Sequence, residues 1–167
     1  SYMYADIYLN DVQAYGGYYQ STGIYIYANA YDDAEIVIDG TLTDNDGADG
    51  EYLTSQYNYN YGIFINEYSE YGLGDSAEVT SDWGIYNTHV CNNGDYGMYF
   101  LAHGDAYQEI DGDNNEVIDN YQFAGFYDIF AYVGEDADQD VDLTNTTYGT
   151  YDCDDGSSGF QFCSITP

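Results

Sequence analysis

The sequence contains no lysine and no arginine against 31 aspartates and glutamates, a formal charge of −31 over 167 residues. With nothing to neutralise phosphates, direct nucleic-acid binding is excluded, and so is adhesion to an anionic membrane surface. P-loop NTPases, kinases, Schiff-base enzymes and arginine-finger mechanisms each need a cationic side chain and drop out too. No apolar run approaches the 18 or so residues of a membrane-spanning helix, so no membrane insertion is expected. No charged-then-apolar leader is visible, and Ser1 begins in mid-pattern, as a processed mature chain would. Histidine is nearly absent: His89 and His103 are the only two. Neither HExxH nor CxxC nor G-x-S-x-G occurs, so the chain does not read as an enzyme.

What remains is unusually aromatic. Hydrophobic residues make up 44% and aromatics 19%, with 24 tyrosines, which is enough apolar surface to fold a core and argues against disorder. A charge of that size repels itself in a compact state, so bound cations, salt or a partner belong to the folded condition.

The dominant hydrophobic period is two. Met3, Ala5, Ile7 and Leu9 fall on one face of the first segment, with Tyr2, Tyr4, Asp6, Tyr8 and Asn10 on the other. The same alternation returns at residues 24–31, 35–43, 57–66, 83–91, 96–103 and 121–133, with a last pair of strands flanking residues 154–162. Clusters of Gly, Asp and Asn separate these runs and supply turns. Eight or nine strands at this spacing predict an all-β fold, an antiparallel β-sandwich of Ig-like or jelly-roll-like type. Residues 104–110 are the one stretch able to make a helical turn. No repeat of fixed length stands out, which argues against a solenoid. Two parts are expected: residues 1–23 as a strand with a loose connection, and residues 24–167 as the sandwich.

Three sets of residues carry candidate chemistry. Asp44, Asp46, Asp49 and Glu51 form one acidic glycine-bearing loop, and Asp111, Asp113, Asn115 and Asp119 a second. Calcium takes six to eight oxygens and suits such loops; both open like an EF-hand loop but lack its later positions. Solvated acidic turns are the plain alternative, as they are for the alternating Asp136, Asp138, Asp140 and Asp142. Cys153 and Cys163 bracket a turn that could close as a hairpin, and a disulfide between them would place the protein outside the cytoplasm; Cys91 is left over. Asn145-Thr146-Thr147 is a sequon, so a covalent glycan at Asn145 is expected.

On most strands the aliphatic side chains take one face and tyrosine shares the other. Tyrosine suits a half-wet strand face on its own, but an aromatic face of this extent also suits a partner, either another subunit or sugar. The clean opening strand, followed by the loose stretch 13–23, resembles the Ig-like, donor-strand-exchanging subunits of extracellular pili and fibrils. That resemblance is architectural. It implies an N-terminal strand (Met3, Ala5, Ile7, Leu9) available for donation to a neighbour, and an extracellular or cell-surface homopolymer whose partners are copies of the same chain. The rival reading is a monomeric carbohydrate-binding or adhesin module with Tyr and Trp83 rings as sugar platforms. A third sets the acidity down to salt adaptation.

Overall fold

The computed structural model describes residues 1–10, 12–16, 21–44, 52–69, 77–120, 126–134, 136–156 and 159–167. Among these residues the secondary structure is sixteen β-strands and no helix, so none is long and apolar enough to cross a membrane. Sheet A holds β1 (Tyr2–Asn10), β4 (Glu35–Thr43), β7 (Glu78–Tyr86), β10 (Ala106–Asp113), β13 (Asp138–Thr144) and β16 (Phe160–Ile165), in that order. Sheet B holds β2 (Gln13–Tyr15), β5 (Leu53–Gln56), β8 (Thr88–Cys91), β11 (Glu116–Ile118) and β14 (Thr147–Tyr148). Sheet C holds β3 (Ile24–Ala30), β6 (Ile63–Ser69), β9 (Met98–His103), β12 (Ile129–Val133) and β15 (Tyr151–Asp155).

The chain visits A, B and C in turn, and every pairing is parallel, from β1 with β4 to β13 with β16. Each circuit lays one strand on each sheet, so the molecule is a three-sided parallel coil, a β-solenoid. This overturns the antiparallel Ig-like or jelly-roll sandwich and the argument against a solenoid. The physical reason lies in the alternation itself. A strand with one face on a core and one in water alternates with period two whichever way its neighbours run. The strand Tyr2–Asn10 pairs with β4 along its whole length, which makes it the first strand of sheet A and not a strand free for donation. Residues 106–113 are likewise strand β10, not a helical turn.

Three A–B corners and three B–C corners each turn on one residue in the left-handed region. Between sheets A and B it is Asn87 (φ 52°), Asn114 (φ 57°) and Asn145 (φ 43°); between B and C it is Tyr57 (φ 58°), Asn92 (φ 56°) and Asp119 (φ 54°). Asn and Asp tolerate this conformation because their short polar side chains bond locally, which is why these residues cluster between the apolar runs. The residue after each of these three B–C corner residues is asparagine, and Asn58, Asn93 and Asn120 form a buried ladder. Asn58 Nδ2 donates to Asn93 Oδ1 at 2.8 Å, and Asn93 Nδ2 to Asn120 Oδ1 at 2.8 Å. Asp128 ends the ladder, accepting from the Asn120 amide and backbone N–H through Oδ1, and from Gly149 and Thr150 N–H through Oδ2.

Inside the coil, register partners stack in rows. Ile7, Gly40, Trp83, Ile110, Val141 and Cys163 form one row of sheet A; Ile24, Ile63, Met98 and Ile129 form one of sheet C. Gly40 is what lets Trp83 in: a Cβ there would stand 2.1 Å from the indole ring. Trp83, Phe100, Ile85 and Met98 are fully buried.

Cys153 on β15 and Cys163 on β16 are joined by a disulfide, with Cα atoms 6.5 Å apart. Their strands belong to sheets C and A, so the bond spans a corner of the coil and not a hairpin. It closes a 10-residue separation, and loop-closure entropy values that at roughly 2–3 kcal/mol. Replacing both cysteines by serine is therefore expected to lower unfolding stability by about that amount in urea titrations. An unchanged midpoint would show the last turn to be held by packing alone.

Candidate functional site

Burial along the inward rows of sheet A depends on what lies above and below. In the middle strand β7, Val79, Trp83 and Ile85 are wholly buried. At the β1 edge the equivalent Met3 is 55% exposed, and Ala5, Ile7 and Leu9 are only half-buried. At the other edge the inward Cys163 of β16 is half-buried and Ile165 buried, while Phe160 and Phe162, 69% and 52% exposed, stand on the outward face, Phe162 in register with Asp140. Among the described residues no strand pairs with the outer edge of β1 or of β16. Both ends of the coil therefore present unpaired backbone N–H and C=O groups beside apolar side chains. Soluble solenoids cover such ends with a polar cap, and unprotected edges template pairing with another chain.

The outward face of sheet A is a carboxylate surface. Asp6, Asp39, Asp82, Glu109 and Asp140 stand in one register row across five strands, about 4.8 Å from strand to strand. Asp111 and Asp142 pair in the next row. Like charges directly opposite one another are destabilising. Burial first, and then the neighbouring carboxylates, push the Asp82 and Glu109 carboxyls above their ordinary range.

The outward face of sheet C is aromatic. Tyr25, Phe64, Tyr99 and Phe130 form one register row. Their ring centroids are 5.1, 4.8 and 5.4 Å apart in sequence along the row. Tyr96 stacks on both Tyr61 and Phe130, extending the surface toward the B–C corner. Burial pushes the Tyr99 hydroxyl up to about 12, and neighbouring tyrosines add to it. The rings turn their faces to one another and not to solvent. Trp83, read from sequence as a sugar platform, lies inside the coil and donates its Nε1–H to Glu67 Oε1 at 2.8 Å.

The candidate metal residues are distributed as follows. Asp44 is buried at the end of β4, while Asp46, Asp49 and Glu51 lie outside the described residues. Asp111 faces outward on sheet A. Asp113 accepts from Asn145 Nδ2 at 2.7 Å and Thr144 Oγ1 at 3.0 Å, and those bonds, the first above all, hold its carboxyl below the usual range. Asn115 is buried, accepting from Thr88 and donating to Ile85 O; Asp119 occupies a left-handed corner. Among the described residues no three His, Cys, Asp or Glu side chains converge to hold a metal. Asn145 is exposed in its corner, with its amide nitrogen donating to Asp113. His89 stands 3.5 Å from Glu116, while Cys91 is buried beside Gln56 and Asn92.

Met3, Ala5, Ile7 and Leu9, expected on a donated strand, lie on the edge strand β1, paired with β4 of their own sheet. Sequence reasoning missed β16, because only the parallel topology makes it the opposite edge of the same sheet. In comparisons with protein-family models, curated proteins and solved structures, no match to the chain was found.

Proposed function

We propose that this chain is a structural subunit of an extracellular fibre, in which coils stack end to end through β-strand addition. The observation that carries the reading is the pair of open, apolar edges of sheet A, β16 at one end and β1 at the other. Both belong to one sheet and run in one direction, so the β16 edge of one copy continues in parallel onto the β1 edge of the next. Continued in register, Cys163 and Ile165 meet the Ile7 and Leu9 rows, and the half-covered Ile7, Leu9 and Cys163 gain the neighbour that their equivalents in β7 already have. The two edges are different surfaces, so the contact is heterologous and does not close; repetition gives a filament. Sheet A then runs unbroken, and its six strands set an axial rise of roughly 29 Å per copy. Sheets B and C, with five strands each, meet across a gap one strand wide.

The disulfide supports an extracellular setting. Stacking copies that each carry −31 calls for counter-ions along the carboxylate rows, and divalent cations such as calcium are the effective species at that task. No catalytic role is part of this reading.

Electron microscopy of the purified chain at increasing salt and calcium tests it. Filaments one coil wide, with a strand repeat near 4.8 Å, are expected. Lysines placed on the inward side of the edge, Ala5→Lys with Ile7→Lys, are expected to abolish them while circular dichroism stays that of the folded coil, since natural edges are blocked in this way. Monomers under all conditions, or closed dimers joined at one edge, would overturn the proposal.

A further inference from the structure

We infer that the outward face of sheet C is a second, lateral self-association surface, on which a copy of this chain packs face to face. The inference is independent of end-to-end stacking, because it rests on a different sheet and on the distribution of charge. The outward residues of β3, β6, β9 and β12 include Tyr25, Tyr27, Phe64, Tyr99, Leu101 and Phe130, and none of their outward positions is a carboxylate. On this face acids enter only at β15, with Asp152 and Asp154. Sheet A carries the opposite character, a register row of five carboxylates. In a chain of charge −31 with no basic side chain, a contiguous aromatic face free of carboxylates is an exception. Apolar patches of this kind mark interaction sites.

The same observations choose the occupant. Two copies joined through sheet C bury their ring edges against each other and leave their carboxylate rows on opposite, outer sides, which keeps the mutual repulsion small. A basic protein would instead be drawn to sheet A, where the charge is. A glycan stacks on ring faces, and here neighbouring rings already cover them, with Phe64 and Tyr99 inclined by 3° at 4.8 Å.

Sedimentation of the full chain with β1 blocked (Ala5→Lys with Ile7→Lys) separates this contact from axial stacking. In about 1 M NaCl, where the Debye length falls to about 3 Å, a dimer is expected. Tyr25→Asp and, at the other end of the row, Phe130→Asp each bring carboxylates onto the face, and dimerisation is expected to weaken on the order of a hundredfold. Tyr25 is more than half exposed, so Tyr25→Asp keeps the fold, and an unchanged melting temperature verifies this. A blocked chain that stays monomeric in high salt would overturn the inference. So would a dimer indifferent to both aspartates, or saturable binding of a neutral oligosaccharide that the aspartates abolish while no dimer forms.

Discussion

Asn93→Leu is expected to destabilise the coil by about 3–5 kcal/mol, the summed cost of leaving several buried polar groups without partners. Asn93 is wholly buried, and its side chain is the middle rung of the corner ladder. Its Oδ1 accepts from both the backbone N–H and the amide of Asn58, at 3.0 and 2.8 Å. Its Nδ2 donates to Ser55 O and to Asn120 Oδ1. Leucine has similar volume, so the change leaves little cavity; what it removes is the acceptor for two buried donors and the donor for two buried acceptors. The loss is concentrated where three coils turn together, so unfolding cooperativity should fall with it. Urea titration followed by tyrosine fluorescence measures both. The exposed outer pair offers the control: Asn114 Nδ2 donates to Asn87 Oδ1 at 2.8 Å, and Asn114→Gly, which still accommodates the left-handed corner, removes one water-accessible bond, worth at most about 1 kcal/mol. A loss at Asn93 no larger than at Asn114 would mean that water replaces the ladder.

The ladder also shows what could be read beforehand. Strand alternation was legible, because an inward and an outward face suffice to produce it, and Tyr2–Asn10, Ile24–Ala30 and Glu35–Thr43 came out near their true bounds. Strand direction was not, for the same reason. The repeat was hidden by unequal turns. Along sheet A the register partners Tyr2 and Glu35, Glu35 and Glu78, Thr80 and Tyr107, Tyr107 and Asp138, Asp138 and Phe160 lie 33, 43, 27, 31 and 22 residues apart. A search for one period fails on such a series. The signal that survives is local: a left-handed Tyr57, Asn92 or Asp119 followed at once by Asn58, Asn93 or Asn120. The run from Trp83 to Cys91 illustrates the error, since what looked like one strand is two, bent at Asn87 from sheet A into sheet B. Within the second acidic turn, sequence could not show that Asn115 is buried with its amide committed to backbone and Thr88. A tyrosine-bearing face was legible strand by strand, but which outward positions line up into a carboxylate row and which into an aromatic row was not, because each row is assembled one residue per coil, from positions that only the register aligns.

Stability is expected to fall as pH rises from about 4.5 to about 7, by about 3 kcal/mol, because of one buried carboxyl. Glu67 sits on the inward face of sheet C between Ala28 and Ala102, whose small side chains leave it room. It is wholly buried and reaches across the core to sheet A, where Ser81 Oγ donates to Oε2 and Trp83 Nε1 to Oε1, each at 2.8 Å. Gln108 is a third partner. Burial raises its pKa from 4.5 to about 7, and the hydrogen bonds offset only part of that. With no lysine or arginine anywhere in the chain, a proton is the only positive charge that the site can acquire. The folded state therefore holds this proton up to about pH 7, whereas the unfolded chain releases it near 4.5. The contribution is complete below the unfolded value and is lost as pH climbs through the folded one. Burial-raised carboxyls at Asp82, Asp95 and Glu109 act in the same direction, so the coil should be firmer in mild acid than at slightly alkaline pH. Glu67→Gln isolates the effect. Its amide oxygen can accept from Trp83 while its nitrogen donates to Ser81, whose hydroxyl reverses, so the protonated arrangement is kept without the ionisation. The variant is expected to match the parent near pH 4.5, to exceed it above pH 7, and to lose most of the slope between them. Parallel urea titrations across that range decide it: equal slopes in the two proteins would place the pH dependence elsewhere, on the carboxylate rows of sheet A.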